Sequence, residues 1–274
     1  MPGEPKDATY AEIADTRVRY LDTKTDGPPV VLLHGFASAM DVWAGVVPLL
    51  AKHHRVVALD LKGFGWTERP PGDYSPSTQA DMVFGLLDEL GIERSAVVAH
   101  SWGSSVALAM ATSRPDRVSR LALYDAWVYE EQIPTVFVWA RAPGIGELIF
   151  GLFYKERPED KIVHAFHDPS IVTQPFVDEV EAALNRPGTT AAALAAVRGQ
   201  RFETLQAKYP TILQPVLLLW GANDIVTTPD VAYRLRKELP NAELAMYEAC
   251  GHFPMIEAYH ASTRRLAEFL EAAE

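Results

Sequence analysis

The chain has 274 residues, and its 36 acidic against 25 basic side chains give it a net charge of −11. With 48% apolar and 22% charged residues, its composition is that of a folded globular protein, which excludes a disordered or low-complexity chain. The acidic balance argues against a nucleic-acid binder and against attraction to anionic membranes, because both depend on clustered Lys and Arg.

Cysteine usage and hydropathy narrow the class of protein further. The single cysteine, Cys250, cannot form an intramolecular disulfide or a cysteine-based zinc cluster. The N-terminus lacks the apolar segment of a secretory signal, and no apolar run approaches the ~18–20 residues of a membrane span. We therefore expect a cytoplasmic protein that contacts neither membrane nor nucleic acid.

Short apolar strands alternate with helices through the first half of the chain. A hairpin is predicted from two strands at residues 10–13 and 17–21. Buried strands are predicted at residues 29–33, 55–61, 95–99 and 118–124. Helices are predicted at residues 40–51, 81–90 and 101–113, with Ser77 as N-cap and Gly91 as stop of the second helix. This alternation predicts a parallel sheet covered by helices on both faces.

The pattern changes between residues 125 and 214, where no run resembles a buried strand. Helix-like stretches broken by prolines occur there, most clearly at residues 176–184 and 190–197. The alternation then resumes with strands at 215–220 and 242–247 and helices at 229–239 and 262–271. We therefore divide the chain into an α/β core of residues 1–125 and 215–274 and an inserted helical cap of residues 126–214.

The segment from Ala99 to Gly103 follows a predicted strand and opens a helix, which is the context of a nucleophile elbow. The turn is tight, so the neighbours of the nucleophile must be small; Gly103 meets this need, and Ala99 stands where Gly is usual. Ser101 then projects from a helix N-terminus, where N–H groups and the helix dipole favour negative charge. Taken alone, the segment fits a strand-to-helix turn with a capping serine equally well.

Two further loops end strands at the same edge of the predicted sheet. Asp224 follows the strand at 215–220, and His252 follows the last strand. The order Ser101, Asp224, His252 is the one expected for such an elbow. A serine hydroxyl is a weak nucleophile, so it needs a histidine base, and the base needs a carboxylate to fix its tautomer.

A third loop, His34-Gly35-Phe36, closes the first central strand and suits an oxyanion hole. The backbone N–H groups of Phe36 and Trp102 could both point at a substrate oxygen, and losing one such donor typically costs ~10²–10³ in rate. The alternative interpretation is a simple glycine turn between strand and helix.

These motifs together resemble the α/β-hydrolase fold family with a helical cap. The similarity covers essentially the whole chain outside the cap. It includes His34-Gly35, the loop of residues 60–67, the elbow, the Asp224 loop and the Gly251-His252 loop. The resemblance implies a mostly parallel, doubly wound α/β sheet and a serine hydrolase that needs neither cofactor nor metal.

The residues of the elbow also distinguish between subfamilies of this fold. It is similar to haloalkane dehalogenases and epoxide hydrolases, but those use Asp where this chain has Ser101. The run from Ser101 to Leu108 is similar to proline iminopeptidases, which carry a longer glycine- and proline-rich stretch after the first His-Gly. A carboxylesterase for small to medium esters fits better. The alternatives are a carbon–carbon hydrolase of vinylogous diketones, then an amide or iminopeptide hydrolase, or a small-molecule receptor that retains the triad.

Some residues have competing interpretations. Asp125 ends the strand at 118–124 and is the alternative triad acid; Asp224 is favoured because its Gly-Xaa-Xaa-Asp loop is the commoner arrangement in the family. His100 is expected to be a packing residue and Cys250 a small buried side chain. A metal site at residues 164–168 is disfavoured relative to a partly solvated cap surface. The oligomeric state is left open.

Overall fold

An eight-stranded sheet runs through the residues that the computed structural model describes, 4–155 and 162–272. In chain order the strands are β1 (Thr9–Ile13), β2 (Thr16–Asp22), β3 (Pro29–Leu33), β4 (Arg55–Leu59), β5 (Ser95–His100), β6 (Val118–Tyr124), β7 (Val216–Gly221) and β8 (Ala242–Tyr247). Their spatial order is β1-β2-β4-β3-β5-β6-β7-β8.

The first two strands form an antiparallel hairpin that continues antiparallel onto β4, and the remaining pairs are parallel. The predicted fold class, a mostly parallel α/β sheet, is therefore confirmed. Because β3 and β5 to β8 all run the same way, the loops that follow them emerge at one edge of the sheet, where ligands of open α/β sheets bind.

The strands are apolar on both faces because helices cover both sides of the sheet. In β3, Val31 and Leu33 pack into one apolar core, whereas Val30 and Leu32 pack into the other. The helices outside the cap region are α1 (Val47–Leu50), α2 (Pro76–Glu89), α3 (Gly103–Ser113), α9 (Pro229–Glu238), α10 (Pro254–Glu257) and α11 (Tyr259–Glu271).

Two predicted helices differ from the structure. The helix predicted at 40–51 is a short 3₁₀ turn, Met40–Trp43, followed by the single turn α1. Gly45 lies between the two, and Pro48 lies in the first turn of α1, where a residue without an N–H is tolerated and beyond which it would break a longer helix. Helix α2 begins earlier than predicted, and its N-cap is Ser75 rather than Ser77, with the Ser75 hydroxyl accepting the N–H of Thr78 at 3.3 Å.

Helices occupy the described chain between β6 and β7, and no strand lies there. They are α4 (Thr135–Ala140), α5 (Ile145–Phe153), α6 (Gln174–Leu184), α7 (Thr189–Gly199) and α8 (Glu203–Gln206), with short 3₁₀ turns between them. A small apolar cluster joins α4, α5 and α7, and Phe36 of the sheet edge packs against it. Within the described ranges, no helix is both long and apolar enough to cross a bilayer.

Candidate active site

Ser101 occupies a strained turn between β5 and α3. Its φ of +51° lies in the left-handed region, which is unfavourable for a residue with a side chain. The turn is held by the Ser101 N–H, which donates to the carbonyl of Tyr124 at 2.8 Å, and by the Ser101 carbonyl, which accepts the N–H of Trp127 at 3.1 Å. The fixed turn leaves the hydroxyl at the carboxyl edge of the sheet.

Glycines allow this turn to pack tightly against the end of β3. A Cβ on Gly103 would lie 2.4 Å from the carbonyl oxygen of His34, and a Cβ on Gly35 would lie 2.9 Å from Cβ of Ser101. The small residue expected at position 103 is therefore required by backbone contact. Helix α3 begins at Gly103, two residues later than predicted.

His252 connects the hydroxyl of Ser101 to the carboxylate of Asp224. Its Nε2 lies 2.9 Å from Oγ of Ser101, and its Nδ1 lies 2.7 Å from Oδ2 of Asp224. With a proton on Nδ1, His252 donates to Asp224 and accepts the serine proton at Nε2. All three side chains are buried. The structure thus brings together the three residues that were predicted to form the triad. Each comes from the loop after a different strand: β5, β7 or β8.

Donors from its own loop hold the carboxylate of Asp224. Oδ1 accepts the N–H groups of Val226 at 2.7 Å and Thr227 at 3.1 Å, and Oδ2 accepts the Thr227 hydroxyl at 2.6 Å. Burial by itself would raise the pKa of Asp224, but the adjacent His252 and these donors outweigh it and lower the pKa below its ordinary value. Asp224 is therefore ionised. Thr227 has no motif that could have identified it from the sequence.

Asp125, the alternative acid, lies beneath the Asp224 loop. Its Oδ1 accepts the N–H of Gly221 at 2.9 Å, and its backbone carbonyl accepts the Thr227 hydroxyl at 3.1 Å. Complete burial and the negative charge of Asp224 raise the pKa of Asp125 well above its ordinary value. Asp125 is therefore neutral and supports the Asp224 loop, whereas Asp224 is the carboxylate that bonds to His252.

The neutral Asp125 predicts a specific pH dependence of stability. The unfolded chain releases this proton near the ordinary pKa of 3.8, whereas the folded chain retains it. The folded state then binds more protons above that pH, so its stability falls as the pH rises. Asp125→Asn removes this loss, so its free energy of unfolding relative to wild type should increase as the pH rises above about 4, by up to ~1.4 kcal/mol per pH unit, and its relative melting temperature should rise with it. Calorimetry at three pH values measures this; a difference that is constant or shrinks with pH would contradict it.

Neither of the two predicted oxyanion donors is engaged in another hydrogen bond in the described residues. Within the described part of the chain, the N–H groups of Phe36 and Trp102 donate no hydrogen bond, while the amides of Ser104 and Ser105 already bond to the carbonyls of Ser101 and Trp102. A Cβ on Gly35 would lie 2.9 Å from Cβ of Ser101, so the backbone immediately before Phe36 passes close to the side chain of Ser101. Their role in binding an oxyanion stays a prediction.

His100 does more than pack. Its Nε2 lies 2.8 Å from the carbonyl oxygen of His252, which it bonds as a donor. Burial, followed by the proximity of His252, lowers the pKa of His100 well below its ordinary value, so the ring is neutral. His100 thus fixes the loop that carries His252.

The remaining candidate residues, Cys250 and a group of possible metal ligands, are poorly suited to catalysis or metal binding. Cys250 is buried, and burial raises the pKa of its thiol, which disfavours the reactive thiolate. Among the described residues, the ligand atoms of His100, Asp125 and His252 lie within 4.8 Å of one another. Both ring nitrogens of His252 already bond to Ser101 and Asp224, so this group does not fit a metal site as it stands. In the ranges that the structure describes, the histidines of the 164–168 segment belong to no such group.

Aromatic side chains surround the edge of the site. The centroid of the Phe36 ring lies 5.5 Å from that of Phe64 and 6.4 Å from that of Trp102. It lies 5.6 Å from the Phe137 ring and 6.4 Å from the Tyr154 ring, both in the chain between β6 and β7. The side chains around Phe36, one of the predicted oxyanion donors, are therefore apolar, and they come both from the core and from the chain between β6 and β7.

Comparison with known proteins identifies the family of the chain. A profile of the alpha/beta hydrolase fold family matches residues 28–259, and the chain belongs to this family. It is 31% identical to an uncharacterized protein of Mycobacterium tuberculosis (89% of this chain, 74% of that one). It is 29% identical to 2-hydroxy-6-oxo-2,4-heptadienoate hydrolase of Pseudomonas putida (90% and 91%). The structure of the meta-cleavage product hydrolase CumD is similar, with a TM-score of 0.82 at 27% identity (97% and 98%).

Proposed function

We propose that the protein is a serine carboxylesterase that acts on small to medium, neutral esters through an acyl-enzyme. The observation that carries this proposal is the hydrogen-bonded chain from Ser101 through His252 to the ionised Asp224. The strained backbone at Ser101 leaves its hydroxyl at the carboxyl edge of the sheet, and Phe36 at that edge packs against helices of the proposed cap, residues 126–214.

In acylation, Ser101, His252, Asp224 and the two backbone amides each have one role. Oγ of Ser101 attacks the ester carbonyl carbon while its proton moves to Nε2 of His252. Asp224 stabilises the imidazolium that forms and holds the tautomer with a proton on Nδ1. The amides of Phe36 and Trp102 donate to the oxyanion. Collapse of the tetrahedral intermediate breaks the bond to the leaving alkoxide, which takes the proton from His252 and departs as the alcohol.

Deacylation repeats the sequence with water. His252 removes a proton from a water molecule that attacks the acyl carbon, and the same two amides hold the second oxyanion. The bond between the acyl carbon and Oγ of Ser101 then breaks, and the serine oxygen takes the proton back. The products are a carboxylic acid and the free enzyme.

The aromatic contacts around Phe36 favour an uncharged, apolar acyl group. The rings that meet it come from four side chains without formal charge, two from the core and two from the cap helices. Apolar walls stabilise a neutral group through burial but leave a carboxylate without compensation.

A carbon–carbon hydrolase is the second candidate because of the relatives. Two similar proteins carry such names, a 2-hydroxy-6-oxo-2,4-heptadienoate hydrolase and a meta-cleavage product hydrolase. The same serine, histidine and carboxylate could serve this reaction, with the proton delivered to a leaving carbon instead of an alcohol oxygen. Amide hydrolysis and a receptor role have no specific observation in their favour.

An acyl-length series of p-nitrophenyl esters tests the proposal. We expect steady turnover with kcat/KM rising with acyl length until the aromatic pocket is filled and then falling. A 2-hydroxy-6-oxo-2,4-dienoate is assayed beside the esters at the same enzyme concentration. Faster turnover of the dienoate, expressed as kcat/KM, would overturn the esterase in favour of the carbon–carbon hydrolase. No turnover of either compound by the folded protein would contradict both.

A further inference from the structure

The loop that carries His252 is in direct contact with residues 165–168 of the proposed cap. The backbone N–H of His252 donates to the carbonyl of Ala165 at 2.7 Å. The ring of Phe166 stacks on that of Phe253, with centroids 4.7 Å apart and 14° between the planes. The residue that carries the proposed base is therefore bonded through its own backbone to a segment inserted some distance away in the sequence.

Glu257, the last residue of α10, bridges the two segments with one carboxylate. Its Oε1 accepts the N–H of Gly251 at 3.0 Å. Its Oε2 accepts the N–H groups of His167 at 2.8 Å and Asp168 at 3.3 Å. One half of the carboxylate thus holds the histidine loop, and the other half holds the 165–168 segment.

The two segments are packed too closely for either to shift alone. A Cβ on Gly251 would lie 2.6 Å from the carbonyl oxygen of Ala165 and 2.7 Å from the nitrogen of His167. On the opposite side, His100 donates to the carbonyl of His252. The peptide groups of His252 are consequently fixed by the 165–168 segment at the N–H and by the core at the carbonyl.

We propose that Glu257 is a positioning residue that couples the 165–168 segment to His252, so that the base is aligned with Ser101 and Asp224 only while that segment is seated. The inference rests on the proposed function, because it assigns His252 as the base. Glu257 touches neither Ser101 nor the His252 ring through a hydrogen bond, and it acts through the backbone of the loop.

Glu257→Gln tests the coupling, since the amide keeps the shape but offers an acceptor to only one segment and turns N–H groups toward the other. We expect kcat for p-nitrophenyl esters to fall by about 10- to 100-fold, the range for a slightly misplaced catalytic group, with little change in KM. Amide hydrogen exchange should become faster in residues 162–168 and 249–253 together. Glu248→Gln removes an exposed carboxylate from the same loop and should match wild type.

Labelling by a fluorophosphonate separates this inference from the proposed function. In that reaction Oγ of Ser101 bonds to phosphorus, fluoride leaves, and His252 takes the serine proton. A wild-type protein that is not labelled at Ser101 would refute the proposed function. A wild type that is labelled, beside a Glu257→Gln variant that labels and turns over equally fast, would refute the coupling alone.

Phe166→Ala approaches the same contact from the other segment and leaves Glu257 intact. It should slow labelling of Ser101 and speed exchange at residues 249–253. Faster exchange confined to residues 162–168, with unchanged labelling, would show that the segment moves without moving the base and would overturn the proposal. This variant also keeps the test decisive if Glu257→Gln does not fold.

Discussion

Replacing Ser101 with alanine is expected to lower kcat for ester hydrolysis by about 10⁴- to 10⁶-fold, because no other group can form the acyl-enzyme. The hydroxyl is the only part of the turn that this change removes. Backbone hydrogen bonds to Tyr124 and Trp127 hold the strained conformation, so the fold should persist. Steady-state assays with the preferred p-nitrophenyl ester, beside far-ultraviolet circular dichroism, measure both expectations.

Ser104→Ala is a matched control for this variant. Ser104 is another fully buried serine, in the first turn of α3, and its hydroxyl has no hydrogen-bond partner among the described residues. Its removal should leave kcat within a few-fold of wild type. Activity retained in Ser101→Ala, or lost equally in both variants, would contradict the assignment of Ser101 as the nucleophile.

Replacing Asp224 with asparagine is expected to lower kcat by about 10⁴-fold. The neutral amide cannot stabilise the imidazolium, and its NH₂ group favours the tautomer with a proton on the wrong nitrogen of His252. With the amide nitrogen in the place of Oδ2, the N–H groups of Val226 and Thr227 would face a weaker acceptor, and the Thr227 hydroxyl would lose its acceptor on this side chain. The measurement is kcat/KM across the acyl series, with the melting temperature as a check on folding.

Asp125→Asn is the matched control for the acid. Asp125 is equally buried but neutral, so an amide resembles its protonated carboxyl and can still accept the N–H of Gly221. We expect less than a tenfold change in kcat. If Asp125→Asn were the more damaging of the two changes, Asp125 and not Asp224 would be the functional acid.

The sequence predicted the elements whose physical signal is local. Short apolar runs such as 29–33 and 95–99 became central strands because residues that face helices on both sides must be apolar throughout. Helix boundaries were less accurate where one residue decides them. Ser75 and Pro76 start α2 well before the apolar periodicity begins, and Gly45 and Pro48 interrupt a segment whose spacing alone predicts one helix.

The residues of the candidate site were likewise predicted only where a local sequence motif marks them. Ser101, Asp224 and His252 were identified because each lies in a recognisable loop after a strand, and the structure places them within hydrogen-bond distance. The contacts of Glu257, and the contact of Thr227 with Asp125, were not predicted, because they join loops that only the tertiary fold brings together. A threonine and a glutamate on short helices and loops have no sequence signal that separates them from ordinary surface residues.

The connectivity of the site has a consequence for how the protein matures. Ser101 and His252 are 151 residues apart in the chain, and the helices between β6 and β7 lie between them in the sequence. Contacts between distant residues require long loops to close and therefore form late. Hydrolytic competence should thus arise only when β8 and the C-terminal helices have docked, so that a nascent chain still lacking its last strand is chemically inert toward esters.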